Sequence, residues 1–502
     1  MTMVRFVLCV AALAAGCGGS GSSAPAPVTP AGPAEPFEPP VTPTEPAKPP
    51  AAPTITAAAA FERWLEAFNA SDTAGLAEFA KLLGPELAKV FPSPEDQLGF
   101  RENTGGFELV TPEKTTAQTY VAIVRERGGD NFARVELQLD AAGVIQTFDI
   151  NVVPTPAEYK PARLSEVDAI AALEAELDTL VAQDKFSGAV IVAKHGKTIF
   201  ARAYGMADRE NGVPNTLATR FRIGSMNKMF TATAILQLVQ AKKLALDDTV
   251  GKILPDYPNQ DVATKVTIHH LLTHTGGTGD IFGPDYDAHR LELRTLQDYV
   301  TLYGRRALLH EPGAEERYSN YGFLLLGVIV EKVTKKSYYD VVQAGIFKRA
   351  KMTSTSSPFE DKPMKGRSIA YSRNLGQQRL ESWTDAKDTL PIRATSAGGG
   401  DSTVGDLVKF ASALTAHKLL DAKHTELLTT RKTGVAEGGY GYGFGTSEED
   451  GVRCIGHGGG APGMNGDLQV CDSGYTIAVL ANLDPPAAGR VLRFIKARLP
   501  TH

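Results

Sequence analysis

The chain has 502 residues, 43% of them hydrophobic, and a formal net charge of −5. That length exceeds one ordinary domain and is ample for packed cores. The acidic balance gives no basic field for nucleic acid, and no apolar run beyond the N-terminus reaches the length of a membrane-spanning helix.

The first expected element is an export signal. Arg5 is the only charged side chain before the apolar run Phe6 to Ala15, and Leu13-Ala14-Ala15-Gly16-Cys17 follows. A short apolar stretch ending in small residues matches a cleaved signal. Gly16-Cys17 resembles a bacterial lipobox, whose cysteine is acylated after cleavage. Leu13 stands one place further from the cysteine than usual, so ordinary cleavage nearby is the alternative. Either route places the mature protein in the cell envelope, membrane-anchored if Cys17 is acylated. Residues 18–54 are rich in Gly, Ser, Pro and Ala. Such a stretch cannot bury a core and is expected to be an extended tether.

Residues 55–155 predict a small α+β domain. Phe61, Trp64, Leu65 and Phe68 share one helical face. A second helix carries Leu76, Phe79 and Leu83, with Ser71 or Asp72 as its cap. Val135, Leu137 and Leu139 alternate with polar residues as a strand, Asp140 to Gly143 is a turn, and Val144 to Val153 is another strand. Helices followed by a meander resemble the NTF2-like (SnoaL-like) cone fold, which can hold a ligand or mediate dimers; with no convergent polar residues here, a non-catalytic accessory role is expected.

Residues 160–502 predict a second, larger domain. Ser165 to Ala182 is a capped helix, and Gly188 to Lys194 with Thr198 to Tyr204 form a hairpin about His195-Gly196. A largely helical stretch runs from Ser225 to Leu420. Strands return at Tyr442 to Thr446, Val452 to His457, Gly466 to Val470 and Tyr475 to Ala481, and Pro485 to Leu499 closes as a helix.

Three short motifs carry the chemistry. Ser225-Met226-Asn227-Lys228 puts a hydroxyl and an amine three residues apart, on one helical face. A hydroxyl is a poor nucleophile at its own pKa, and a neighbouring unprotonated lysine can take its proton. The spacing alone is common. The next stretch, Met229 to Val239, is apolar nearly all round, as in a buried helix, and a buried helix that opens on Ser and Lys needs a chemical reason. Tyr318-Ser319-Asn320 opens a second apolar run, and Gly456-His457-Gly458-Gly459-Gly460 lies between two strand-like segments. Each has a bland alternative: a loop tyrosine with a capping asparagine, and a turn histidine.

Cys454 and Cys471 flank the His457 segment. If these flanks pair as an antiparallel hairpin, an oxidising compartment permits a disulfide; two buried thiols are the alternative. His270 and His274 are four apart, but no glutamate follows His270, so no zinc site is expected. No cofactor is implied.

The three motifs, in this order, resemble the serine beta-lactamase-like family of class C beta-lactamases, penicillin-binding carboxypeptidases, D-aminopeptidases and related esterases. Ser187 to Ala193, Val266 to Gly276 and Ala397 to Thr403 match as well, and the resemblance spans roughly residues 165–500. It implies an α/β fold, an antiparallel sheet flanked by helices plus an all-α subdomain, with the site between them. It also implies an acyl-enzyme on Ser225, with Lys228 or Tyr318 as base. Asn320 would orient the site and bind substrate, and the N–H groups of Ser225 and Gly460 would form an oxyanion hole beside Gly459.

His457 departs from the family pattern, which carries Lys-Thr-Gly there. A mostly neutral histidine is a weaker anchor for a substrate carboxylate. That favours an esterase or peptidase on ester or D-amino-acid peptide substrates. The alternatives are a beta-lactamase, a D-Ala-D-Ala carboxypeptidase, or an inactive cell-wall binding module. A lipase of the α/β-hydrolase type is disfavoured, because the chain has no Gly-x-Ser-x-Gly elbow.

Overall fold

The computed structural model describes residues 55–375, 378–435 and 438–502. The export signal, Cys17 and the tether lie outside the described residues.

The first unit starts with four helices, Ala57–Ala70, Thr73–Ala80, Pro85–Ala88 and Pro94–Thr104. Four strands follow, Phe107–Thr115, Thr119–Glu126, Phe132–Leu139 and Ile145–Val153, paired in chain order as an antiparallel sheet. The helical face foreseen from the spacing is buried: Phe61, Trp64 and Phe68 pack with Phe79, Phe107 and Phe148. Trp64 stacks on Phe68 at 4.9 Å and donates its Nε1–H to Gln97 Oε1 at 3.0 Å. Of the two candidate caps, Asp72 accepts from the Ala74 N–H, while Ser71 closes the preceding helix in the left-handed conformation.

The second unit is built on an eight-stranded antiparallel sheet. Its strands run in the order Thr433–Gly434, Gly439–Tyr440, Gly445–Glu449, Val452–Ala461, Met464–Cys471, Tyr475–Ala481, Gly188–Lys194 and Lys197–Tyr204. The central strands are apolar on both faces because both faces are covered. Val190, Val192, Ile477 and Val479 join Leu173, Leu177, Val491 and Ile495 of the helices Glu166–Ala182 and Ala487–Lys496. The alternate residues Ala189, Ile191, Ala478 and Leu480 face the opposite core, with the helices Asn227–Gln240 and Asn320–Thr334. The closing helix is shorter than the expected Pro485 to Leu499, since Pro485 and Pro486 precede its first turn.

Residues between the two sets of strands are mostly helical, interrupted by a two-stranded hairpin at 371–385. Cys454 and Cys471 stand opposite each other in neighbouring strands and are joined by a disulfide. The two units touch through the closing helix and the residues after it. Arg498 pairs with Asp130 at 2.9 Å, and Arg490 donates to the Asn103 carbonyl.

Candidate active site

Ser225 sits in a tight turn, Gly224–Met226, immediately before the helix Asn227–Gln240. The turn needs glycine at 224, whose φ is +52°, and needs glycine on the facing strand. A Cβ on Gly459 would lie 2.1 Å from the Ile223 carbonyl oxygen, so the glycine run lets the strand Val452–Ala461 press against the serine turn. That close approach is the structural reason for Gly459.

The strand also aims a donor. Pro462 and Gly463 form a two-residue connection between paired Ala461 and Met464. Such a hairpin makes the flanking residues a hydrogen-bonded pair, and bonded and non-bonded pairs alternate from there. Gly460, opposite Asn465, therefore falls in a non-bonded pair. Its N–H points away from the neighbouring strand, toward the edge where the serine turn lies.

Lys228 is wholly buried. Its Nζ lies 3.3 Å from Ser225 Oγ, 2.7 Å from Asn320 Oδ1 and 2.5 Å from the Ala397 carbonyl oxygen. Burial pulls its pKa down to about 7, and the nearby Asp280 carboxylate opposes that pull. A neutral amine has two N–H groups and one lone pair. The carbonyl oxygens of Asn320 and Ala397 can only accept, so they take both N–H groups and the lone pair is left facing Ser225 Oγ–H.

Tyr318 closes the other side. It is partly exposed, and Lys228 Nζ is 4.6 Å from its ring centroid. Desolvation raises the phenol pKa, with the Ser225 hydrogen bond pulling the other way. The phenol is therefore protonated at neutral pH.

Asn320 orients the site as the resemblance implied, but neither it nor His457 presents a free polar group for substrate. Asn320 is held by the protein at both ends of its amide, Oδ1 toward Lys228 and Nδ2 donating to both Asp280 oxygens at 3.0 and 3.2 Å. It orients the lysine rather than offering a free amide to substrate. His457 was expected to contact substrate. It is 1% exposed, with Nδ1 donating to the Gly458 carbonyl at 2.5 Å and Nε2 accepting from the Tyr440 hydroxyl at 3.0 Å. Burial first, then the Lys228 charge, bring its pKa to about 3. It is a neutral, internally satisfied side chain, not a cationic anchor.

Sequence reasoning missed Asp280, the Ala397 carbonyl and His274. His274 packs against Tyr318 with ring centroids 4.3 Å apart, and its Nδ1 accepts from the Ser319 N–H at 3.1 Å, which fixes the tyrosine loop. Asp280 follows Gly277 and Gly279, which the structure places at positive φ. Among the described residues no group of three or more His, Cys, Asp or Glu side chains is placed to hold a metal ion.

The fold and this site define a serine hydrolase. The chain belongs to the beta-lactamase family, whose model matches residues 172–500. It is 28% identical over 340 residues to penicillin-binding protein 4* of Bacillus subtilis, covering 62% of this chain and 71% of that protein. Esterase EstB of Burkholderia gladioli is 36% identical over 195 residues, 36% of this chain and 50% of the esterase. Among solved structures, a penicillin-binding protein from Bacillus halodurans superposes with a TM-score of 0.58 at 32% identity, over 64% of this chain and 99% of its own. A D-stereospecific amidohydrolase from Streptomyces gives 0.53 at 30% identity, over 66% and 98%.

Proposed function

We propose that the enzyme hydrolyses esters or amides through an acyl-enzyme on Ser225, with neutral Lys228 as the base. The observation that carries this is the buried Lys228 amine, 3.3 Å from Ser225 Oγ. As Ser225 Oγ attacks the substrate carbonyl, its proton passes to Lys228 Nζ. The N–H groups of Ser225 and Gly460 take the developing oxyanion. When the tetrahedral adduct collapses, the Tyr318 hydroxyl protonates the departing alkoxide or amine, and Lys228 returns a proton to the tyrosine. Water then attacks the acyl-enzyme by the same route in reverse.

The substrate class is set by what His457 lacks. With no cation at that position, a free carboxylate gains little there. Exposed Phe282 and Leu309 flank the Gly279–Asp280 turn and offer apolar contact instead. This favours esters and amides of D-amino acids or simple acyl groups over beta-lactams, in line with the esterase and amidohydrolase relatives. Penicillin recognition is the second reading, supported by the penicillin-binding relatives. The place of action in this proposal is the cell envelope, reached through the N-terminal signal and held there by a lipid on Cys17. A Cys454–Cys471 disulfide suits that oxidising compartment. The 55–155 unit, of the NTF2-like type in this proposal, is an accessory.

A fluorophosphonate probe and two chromogenic substrates test the assignment. Wild type is expected to be labelled and to turn over p-nitrophenyl esters faster than nitrocefin, and Ser225→Ala to do neither. An unlabelled wild type would sink the enzyme assignment, and faster nitrocefin turnover would reverse the order of the two readings.

A further inference from the structure

We infer that Asn465 is a positioning residue for the oxyanion hole: it clamps the Gly459–Gly460 peptide so that the Gly460 N–H stays aimed at the serine turn. This rests on the proposal that Gly460 N–H is one of the two oxyanion donors.

Asn465 is 9% exposed, on the strand Met464–Cys471 directly opposite Gly460. Its Oδ1 accepts from two backbone N–H groups at the start of the closing helix, Ala488 at 2.7 Å and Gly489 at 3.1 Å. Its Nδ2 donates to the Gly459 carbonyl at 2.9 Å. Two donors on one side and an acceptor on the other leave a single assignment of the amide.

The carbonyl of Gly459 and the N–H of Gly460 belong to one peptide unit. In a planar trans peptide these two groups point in opposite directions. Whatever holds the carbonyl therefore sets the direction of the N–H. This peptide joins two glycines, whose backbone rotates more freely than that of any other residue. The pairing of Gly459 with Gly466 already restrains this peptide, and Asn465 adds a second hydrogen bond to the same carbonyl near the end of the strand, where preorganisation of the donor matters most. Asn465 anchors that restraint to the first turn of a helix packed on the back of the sheet, far from substrate.

The test uses the full chain and two variants. Asn465→Asp keeps an acceptor for Ala488 and Gly489, where a carboxylate is welcome at a helix N-terminus, yet has no donor for Gly459. Asn465→Ala removes both contacts. For p-nitrophenyl butyrate, both variants should lose about 10- to 100-fold in kcat, less than the loss of an entire oxyanion donor. KM should stay within about threefold, and the pH midpoint of activity should remain that of wild type, since the base is untouched. Inhibition by phenylboronic acid, which places an oxygen in the hole, should weaken in parallel with kcat.

A folded Asn465→Asp with wild-type kcat overturns the inference. So does a loss confined to KM, or one that moves the pH midpoint. If only Asn465→Ala fails to fold, Asn465→Asp decides alone; if neither folds, the side chain is a structural cap and the inference falls. Fluorophosphonate labelling of wild-type Ser225 separates the two levels: its absence sinks the catalytic proposal, whereas its presence with an unimpaired Asn465→Asp sinks only this one.

Discussion

The two folded units bury different things. Between residues 55 and 155 the core is apolar and aromatic, and among the described residues there the only buried polar side chains are Gln97 and Thr104. The hydrolase unit buries a lysine, two histidines and several aspartates, Lys228, His274, His457, Asp401 and Asp406 among them. Burying a charge or an unmet polar group is unfavourable, and a structure optimised for stability alone avoids it. The first unit obeys that rule. The second departs from it, and in two ways: Asp401 and Asp406 are met by Arg367 and Lys409, whereas Lys228 has no such partner among the described residues and burial pulls its pKa down to about 7.

The sharpest way to break this contrast is to remove the buried amine. Lys228→Met should lower kcat/KM by about 10⁴-fold, equivalent to roughly 5 kcal/mol of transition-state stabilisation at 1.36 kcal/mol per decade. Wild-type activity should rise with pH through about 7, where Lys228 loses its proton, and the variant's residual activity should lack that inflection. Stability should respond with a definite sign. The folded lysine titrates near 7 and the unfolded one near its ordinary 10.5. Between those values the unfolded chain holds the extra proton, so this group adds stability as pH rises. Urea unfolding of wild type and variant at pH 7 and pH 10 should show the wild type gaining relative to Lys228→Met. An unchanged difference would mean that the buried lysine is not the source.

The opposite manipulation belongs to the first unit. Trp64→Ala removes its largest core ring and strands the Gln97 amide, and should cost about 3–5 kcal/mol. Ester hydrolysis should stay within about twofold of wild type at temperatures where the hydrolase unit is folded. A matching fall in kcat would show that the first unit does more than pack.

The smallest effect is expected from the cross-link inside the catalytic sheet. Replacing Cys454 and Cys471 together with serine opens a loop of sequence separation 17 and should cost about 3 kcal/mol or less. The pair sits near the start of the strand Val452–Ala461 and Gly460 near its end, so kcat should hold. Thermal melting alongside turnover checks both parts.

Legibility in the sequence divides along the same line. Ser225, Lys228 and Tyr318 were readable because their chemistry depends on local spacing and on the apolar helices behind them. The alternation of Val135, Leu137 and Leu139 was readable for the same kind of reason. Asp280 and the Ala397 carbonyl were not, because each reaches the lysine or its partner from a loop remote in sequence, and neither residue type signals such a role. His457 stood out in the sequence as a departure from the family pattern. Only the structure shows why it is silent: Tyr440, seventeen residues earlier, occupies its second nitrogen. The Asn465 clamp left no mark in the sequence, since its meaning lies in which way one peptide plane faces.

The sheet order has a consequence for how the enzyme comes into being. Tyr475–Ala481 is an inner strand, bonded on one side to Met464–Cys471 and on the other to Gly188–Lys194. The first strands of the hydrolase thus wait, through the synthesis of nearly all that lies between, for neighbours far along the chain. Contacts so distant along the chain form late and slowly. Gly459 and Gly460 belong to that late group, so the serine turn stands without its facing strand until the C-terminal segment arrives. A chain cut before Val452 keeps Ser225 and Lys228 but lacks the strand that faces them.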